Sequence, residues 1–127
     1  MKKIALVYPE VLDLARFKEK RKEFPPFGVL YLAAVAEDSG YLVNILSVDS
    51  GVNGLDLQNY DVVGFSIPSS ATYRIIKNVK DGSFYKKDAL VLTGGVHANL
   101  YPVETLMDIK PDVLCAGEGE ETFLEIL

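Results

Sequence analysis

Three stretches of this chain set glycines or hydroxyl side chains directly after apolar runs, where α/β proteins place ligand sites. The first is SIPSS, residues 66–70. Ser66 closes the run DVVGFS, Pro68 fixes the turn, and Ser69 or Ser70 stands where a helix N-cap is wanted. Capping alone accounts for Ser69 and Ser70. Ser66, small and polar at the end of a buried run, reads as a ligand contact. The second stretch is TGGVHAN, 93–99, which opens with Thr93. Gly94 and Gly95 have no β-carbon, so a backbone or a ligand can approach closely, although a plain turn would also use them. His97 is the only histidine. Its imidazole could hydrogen-bond at a ligand's edge. As a catalytic base it would need an orienting partner, which the sequence does not identify; an incidental loop histidine fits equally.

The third stretch, GEGEE at 117–121, places Gly117 and Gly119 in a turn that carries Glu118, Glu120 and Glu121. Its G-x-G spacing is shared with dinucleotide sites. That fingerprint, however, follows a first strand and completes G-x-G-x-x-G. Here the turn follows the last predicted strand, and Thr122 stands where the third glycine would be. Three carboxylates would repel a pyrophosphate. At a helix start they favour the helix dipole by ~0.3–1 kcal/mol each, and they could accept hydrogen bonds from a neutral or cationic ligand.

Composition narrows the classes. The chain has 127 residues, 49% hydrophobic and 24% charged, which suits one soluble globular domain. Its net charge of -5 disfavours nucleic acid as a partner. No apolar run approaches the ~20 residues that cross a bilayer, so no membrane partner is expected. Arg16, Lys18, Lys20, Arg21 and Lys22 cluster, but Glu19 and Glu23 interrupt them, and a solvated face is the favoured reading. Cys115 is the only cysteine, so no internal disulfide can form, and a cytoplasmic, reducing setting fits. One cysteine and one histidine cannot build a zinc site within the chain.

The elements that would position these residues alternate. Strands are expected at 3–8, 42–48, 61–66, 89–93 and 112–115. Helices are expected at 28–39, 70–80, about 102–109, and from near Gly119 onward. Gly40 sits where a left-handed C-terminal cap is wanted. The strands are continuous apolar runs, as in parallel sheets covered on both faces. The expectation is therefore a three-layer, doubly wound α/β fold with five parallel strands in the order 2-1-3-4-5, flavodoxin-like or Rossmann-like. Ligands in such sheets bind beyond the carboxyl ends of the strands, near the reversal of strand order. The connection after the first strand is long, about 19 residues from Pro9 to Phe27. It reads either as a lid or ligand wall or as a surface excursion. The stretch DSGVNGLDLQNYD, 49–61, reads as a structural connection. The acidic residues of a phosphoacceptor receiver, the phosphate loop of a flavodoxin and the G-x-S-x-G elbow of a hydrolase are all missing from their places.

PPFGVLYLAAVAEDSGY (25–41), DVVGFSIPSS (61–70), LTGGVHAN (92–99) and PDVLCAGEGEETFLEIL (111–127), in that order, resemble the cobalamin-binding domain at the N-terminus of many radical SAM enzymes. The resemblance implies a flavodoxin-like fold with the corrin lying over the strand ends. Its nucleotide tail would run down into the sheet along Ser66, Gly94 and Gly95, with Pro68, Ser69 and Thr93 in the same set. His97 and the turn of Gly117, Glu118, Gly119 and Glu120 would lie near the corrin or its amides. Mutase-type cobalamin domains carry D-x-H-x-x-G after the first strand, whose histidine ligates cobalt; this chain has no histidine there. Pro68 stands where radical SAM relatives carry Leu in an S-x-L pattern.

The same resemblance implies that S-adenosylmethionine and a 4Fe-4S cluster belong to a radical SAM barrel beyond this chain, in cis or in trans. That cluster needs C-x3-C-x2-C, and only Cys115 is present here. Residues 1–127 would then be one cobalamin-binding-like domain. The apolar helix ending on Ile126 and Leu127 without a cap leads to the expectation of a chain cut at that point or a divided gene. The function implied is a cobalamin-binding module for methyl transfer or complex rearrangement, not catalytic alone. Two alternatives stand beside it: the same fold without corrin, binding another small molecule or docking a partner, and a small standalone enzyme using His97 and Glu118.

Overall fold

A computed structural model of the chain describes residues 2–10, 27–115 and Glu125. Five parallel strands form its sheet: β1 (Lys3–Pro9), β2 (Leu42–Val48), β4 (Val62–Ser66), β6 (Leu90–Gly94) and β7 (Val113–Leu114). Their order is β2-β1-β4-β6-β7. This is the expected 2-1-3-4-5 once two short strands are set aside. Those two, β3 (Asp56–Leu57) and β5 (Phe84–Tyr85), pair in parallel as a separate ribbon. The sequence reading had taken the segment around β3 as an irregular connection. Two residues are too few to show a period, and the pairing is long-range.

Four helices complete the described chain: α1 (Phe27–Asp38), α2 (Ser70–Gly82), α3 (Val96–Leu100) and α4 (Pro102–Ile109). Burial shows why the strands read as unbroken apolar runs. On one face, Ile4, Leu6, Val62 and Leu92 pack against Val29, Ala33 and Ala36 of α1. On the other, Ala5, Val7, Val63 and Phe65 pack with Ile76 and Val79 of α2 and Ile109 of α4. Both faces of β1 are therefore buried, and each large apolar side chain removed from water contributes roughly 1.5–3 kcal/mol. The small residues Ala33 and Ala36 let α1 lie close to the sheet.

Pro9 closes β1 at a point where its missing N–H costs nothing. Pairing with β4 has already ended at Val7, and the next residue, Glu10, donates its amide to the Val48 carbonyl. At the other end of α1 the predicted cap forms. Tyr41 N donates to Ala36 O at 3.1 Å, Gly40 N donates to Glu37 O at 3.0 Å, and Gly40 has φ +94°. That pair of bonds is a Schellman motif.

A β-carbon on Gly40 meets no atom within 4 Å, so only its backbone conformation would be strained by a side chain. Gly40→Ala should lower stability by about 1 kcal/mol in a denaturant melt. Gly28→Ala, equally open but inside α1, should be neutral or stabilising by up to about 1 kcal/mol. Equal effects at the two sites would refute this account of the cap.

Candidate functional site

Because every strand of the main sheet is parallel, the carboxyl ends of β1, β4, β6 and β7 share one rim. At that rim the loops after β4 and β6 are joined backbone to backbone. Ile67 N donates to Gly94 O at 2.8 Å, and His97 N donates to Ile67 O at 3.0 Å. Gly95 crosses Ile67 so closely that a β-carbon would lie 2.6 Å from the Ile67 oxygen and 2.9 Å from its nitrogen. Its φ of +108° is also one that side-chain-bearing residues rarely adopt. The close approach expected of this glycine pair is made, at Gly95, by the protein's own backbone.

Strand alternation then sorts the candidates by face. Val62 and Leu92 lie on the α1 face, and so, two residues on, do Gly64, Ser66 and Gly94. Ser66 and Gly94 are direct neighbours in the register. Among the described residues, a β-carbon on Gly94 would meet only Cys115, its oxygen at 3.4 Å and its Cβ at 3.6 Å. One step deeper, the Leu6 side chain leans over Gly64, 2.9 Å from where a β-carbon would be. Among the described residues, small residues thus line the α1 face from the rim down to Leu6, and this row is the candidate trough. The Ser66 hydroxyl makes no hydrogen bond with the described residues. Half-buried Cys115 borders the trough, and burial pushes its thiol pKa up.

Thr93 lies on the opposite face. It is 1% exposed, and its hydroxyl has no hydrogen-bond partner among the described residues. Pro68 and Ser69 are exposed on the loop between β4 and α2. Ser69 occupies the N-cap position but does not cap: its hydroxyl lies 3.3 Å from Thr72 Oγ1, which itself donates to Ser69 O. Ser70 does not cap either, because its hydroxyl lies 3.2 Å from Nδ1 of His97.

His97 therefore has the partner that sequence could not supply, and it sits in the first turn of α3, not in a loop. Its ring lies between Tyr73 of α2 and Tyr101, with both ring centroids 5.0 Å away. The Tyr73 hydroxyl donates a short hydrogen bond to Asp108 on α4. Burial first, and the Asp108 carboxylate second, push the Tyr73 phenol up to about 12. The same bond, helped by Lys77 at 3.7 Å, holds the Asp108 carboxyl below the usual range. Tyr101 was legible in principle, four residues beyond His97 on a helical path. Tyr73, Gly64 and Cys115 carried no sequence signal for this site.

The structure thus brings together Ser66 and Gly94 on one side of the rim and His97 with Ser70 on the other. Gly117, Glu118, Gly119 and Glu120 lie outside the described residues, as do the basic cluster, Pro25 and Pro26. Among the described residues no His, Cys, Asp and Glu group could hold a metal ion. No described helix is long and apolar enough to cross a membrane.

The model of a family described as the B12 binding domain matches residues 18–127. The chain is 32% identical to the cytidylyl-2-hydroxyethylphosphonate methyltransferase of Streptomyces wedmorensis, over 78% of this chain and 23% of that protein. It is 25% identical to the anaerobic magnesium-protoporphyrin IX monomethyl ester cyclase of Rubrivivax gelatinosus, over 82% of this chain and 20% of that protein. The chain therefore spans about a quarter or less of the length of these relatives.

Two substitutions test this geometry. Gly95→Ala should lower stability by roughly 1–3 kcal/mol, since it sets a β-carbon against backbone that cannot swing away; a melt unchanged from wild type would contradict the crossing. Thr93→Val keeps the shape and removes a buried, unpaired hydroxyl. It should be neutral or stabilising by about 1 kcal/mol, and a loss of 2 kcal/mol or more would mean that the hydroxyl is in fact bonded.

Proposed function

The chain belongs to the B12-binding domain family, and from that membership we propose that it binds cobalamin across the carboxyl rim of its sheet, as a module of a larger radical SAM enzyme. The observation that carries this reading is the pair of small residues Ser66 and Gly94 on the α1 face, above Gly64 and the Leu6 side chain that covers it. A ligand part that enters between strand ends needs a floor without side chains, and a deep, mostly apolar slot with a few polar groups is the usual form of a cofactor site. The nucleotide tail would lie in the trough, beside the Ser66 hydroxyl, which has no hydrogen-bond partner among the described residues and can donate to or accept from it. Pro68 and Ser69 would border the corrin, and the sequence stretch Gly117, Glu118, Gly119 and Glu120, outside the described residues, is assigned to the same ligand by resemblance. Gly95 would act by holding the two loops together. Bound cobalamin supplies a cobalt centre able to carry a methyl group. This chain contributes binding, orientation and exclusion of water around that centre.

Two facts favour a module over a complete enzyme. The relatives are four to five times longer than the matched region, and one of them is named a methyltransferase. S-adenosylmethionine and an iron–sulfur cluster would belong to the remaining part. A cytoplasmic location follows from this reading, since such chemistry needs reduced metal centres.

The test is a titration of the purified chain with hydroxocobalamin, followed by gel filtration and visible spectroscopy. The expected result is retained corrinoid absorbance. Ser66→Leu, which fills the trough, should weaken binding by about tenfold or more without lowering the melting temperature. Colourless wild-type protein with no heat of binding would instead assign the fold to docking or to another small molecule.

A further inference from the structure

Gly40 caps α1 and Gly95 crosses Ile67, and both have a positive φ that glycine tolerates. Gly64 has neither reason to be glycine. It stands in the middle of β4, the central strand, paired in register with Leu6 on one side and Leu92 on the other. Its φ is not positive, and no described backbone beyond its chain neighbours lies within 4 Å of where a β-carbon would be. A glycine there weakens the strand and leaves a gap above it. The tip of Leu6 fills that gap: its Cδ2 lies 2.9 Å from the β-carbon position, with no other described side chain within 4 Å. Leu6 is 4% exposed and packs with Ile4, Val62 and Leu92 against α1. Gly64 itself is only half-buried, while Val63 and Phe65 on either side of it are buried, so solvent reaches this glycine in the centre of the sheet.

We propose that Leu6, laid flat over Gly64, is the floor of the trough, and that the height of this floor decides which nucleotide tails the chain accepts. The proposal rests on the cobalamin reading. Ser66 and Gly94 form a row at the rim. Leu6, Gly64 and Leu92 form the next row on that face, two residues or about 7 Å down the strands. Because Gly64 has no side chain, Leu6 lies across it and leaves the upper row clear. A methyl group at position 64 would take the place of the Leu6 tip. The tip would then be displaced toward the rim, the side that Ile4, Val62 and α1 do not fill. An apolar floor suits the flat aromatic base at the far end of a tail, and the polar Ser66 above it suits the sugar and phosphate. Leu6 is then a specificity-determining residue: it limits the length of the tail.

Three corrinoids read the floor: hydroxocobalamin, an analogue whose benzimidazole lacks the two methyl groups, and cobinamide, which has no nucleotide tail. Wild type, Gly64→Ala and the double variant Gly64→Ala/Leu6→Val are titrated with each by visible absorbance, with thermal melts alongside. Gly64→Ala should weaken hydroxocobalamin by about tenfold, weaken the unmethylated analogue less, and leave cobinamide unchanged. Adding Leu6→Val removes the displaced tip and should restore most of the loss. Leu6→Met, which lengthens the tip without touching Gly64, should rank the three ligands as Gly64→Ala does and serves as the test if Gly64→Ala does not fold. If Gly64→Ala binds hydroxocobalamin as tightly as wild type, or weakens cobinamide equally, Gly64 serves the fold alone; the proposal fails and corrinoid binding stands. It fails too if the double variant recovers nothing, or if the two tailed corrinoids lose equally. Wild type that binds none of the three overturns the cobalamin reading, and this proposal with it.

Discussion

The site depends on a contact in which no site side chain takes part: the crossing of Gly95 over the Ile67 backbone. Ile67 is fully buried, and its amide and carbonyl are both bonded across to the β6 loop. This crossing fixes how far the β4 and β6 connections stand apart. It therefore sets the spacing of Ser66 from Gly94 on one side of the rim and of Ser70 from His97 on the other. A peptide-to-peptide contact is a stiff ruler, since neither partner has rotamers to relax through. The glycine is required where the two chains touch, and the polar residues on either side inherit their positions from it.

From that ruler follows a division of the rim into two unlike sides. Toward α2 and α4 the ends of the strands are sealed by Phe65, Ile67, Thr93 and Ile109, all 2% exposed or less. What remains there is a surface assembly of aromatic rings and charges: His97, Tyr73, Tyr101, Asp108 and Lys77. Toward α1 the same strands end in Gly64, Ser66 and Gly94, with Cys115 beside them. One side can hold the edge of a ligand and the other can admit part of it. A flat surface would offer neither distinction, and a glycine-lined cleft without the crossing would lack a fixed width.

Much of the fold was legible because both faces of the sheet are covered. Unbroken runs such as KIALVY and ALVLT, separated by helical stretches, leave few topologies, and the order of the five strands followed from them. The Gly40 cap was legible because a left-handed residue after an apolar helix has one common use. The ribbon of β3 and β5 was hidden, since a two-residue pairing across 28 positions has no local signature. At the site, residue types were readable and faces were not. Thr93 and Gly94 adjoin in sequence, yet alternation sends them to opposite sides of the sheet. Ser69 and Ser70 looked like caps; Ser69 instead meets Thr72 in its own first helical turn, and Ser70 meets His97, a tertiary partner. Tyr73 reaches His97 from another helix, a contact with no local signature.

The position of the trough also follows from the order of the strands. After β1 the chain turns back through α1 to β2, and after β4 it goes the other way through α2 to β6. The two connections diverge above the β1–β4 pair, so among the described residues no crossover helix closes the rim at Tyr8 and Ser66. Central strands are normally where burial is richest, and a Val or Leu in place of each small residue would contribute roughly 1.5–3 kcal/mol more. The sheet forgoes that at Ser66 and Gly94 and recovers part of it one layer down, where Ile4, Leu6, Val62 and Leu92 close the bottom of the trough against α1. A ligand seated there supplies the apolar contacts that the strands omit. At a hundredfold excess over its dissociation constant it would add about 2.7 kcal/mol to the folded state. On the proposed reading, loading and stability would be coupled through the same few small residues, and the strand ends weakest without a ligand would be the ones that hold it.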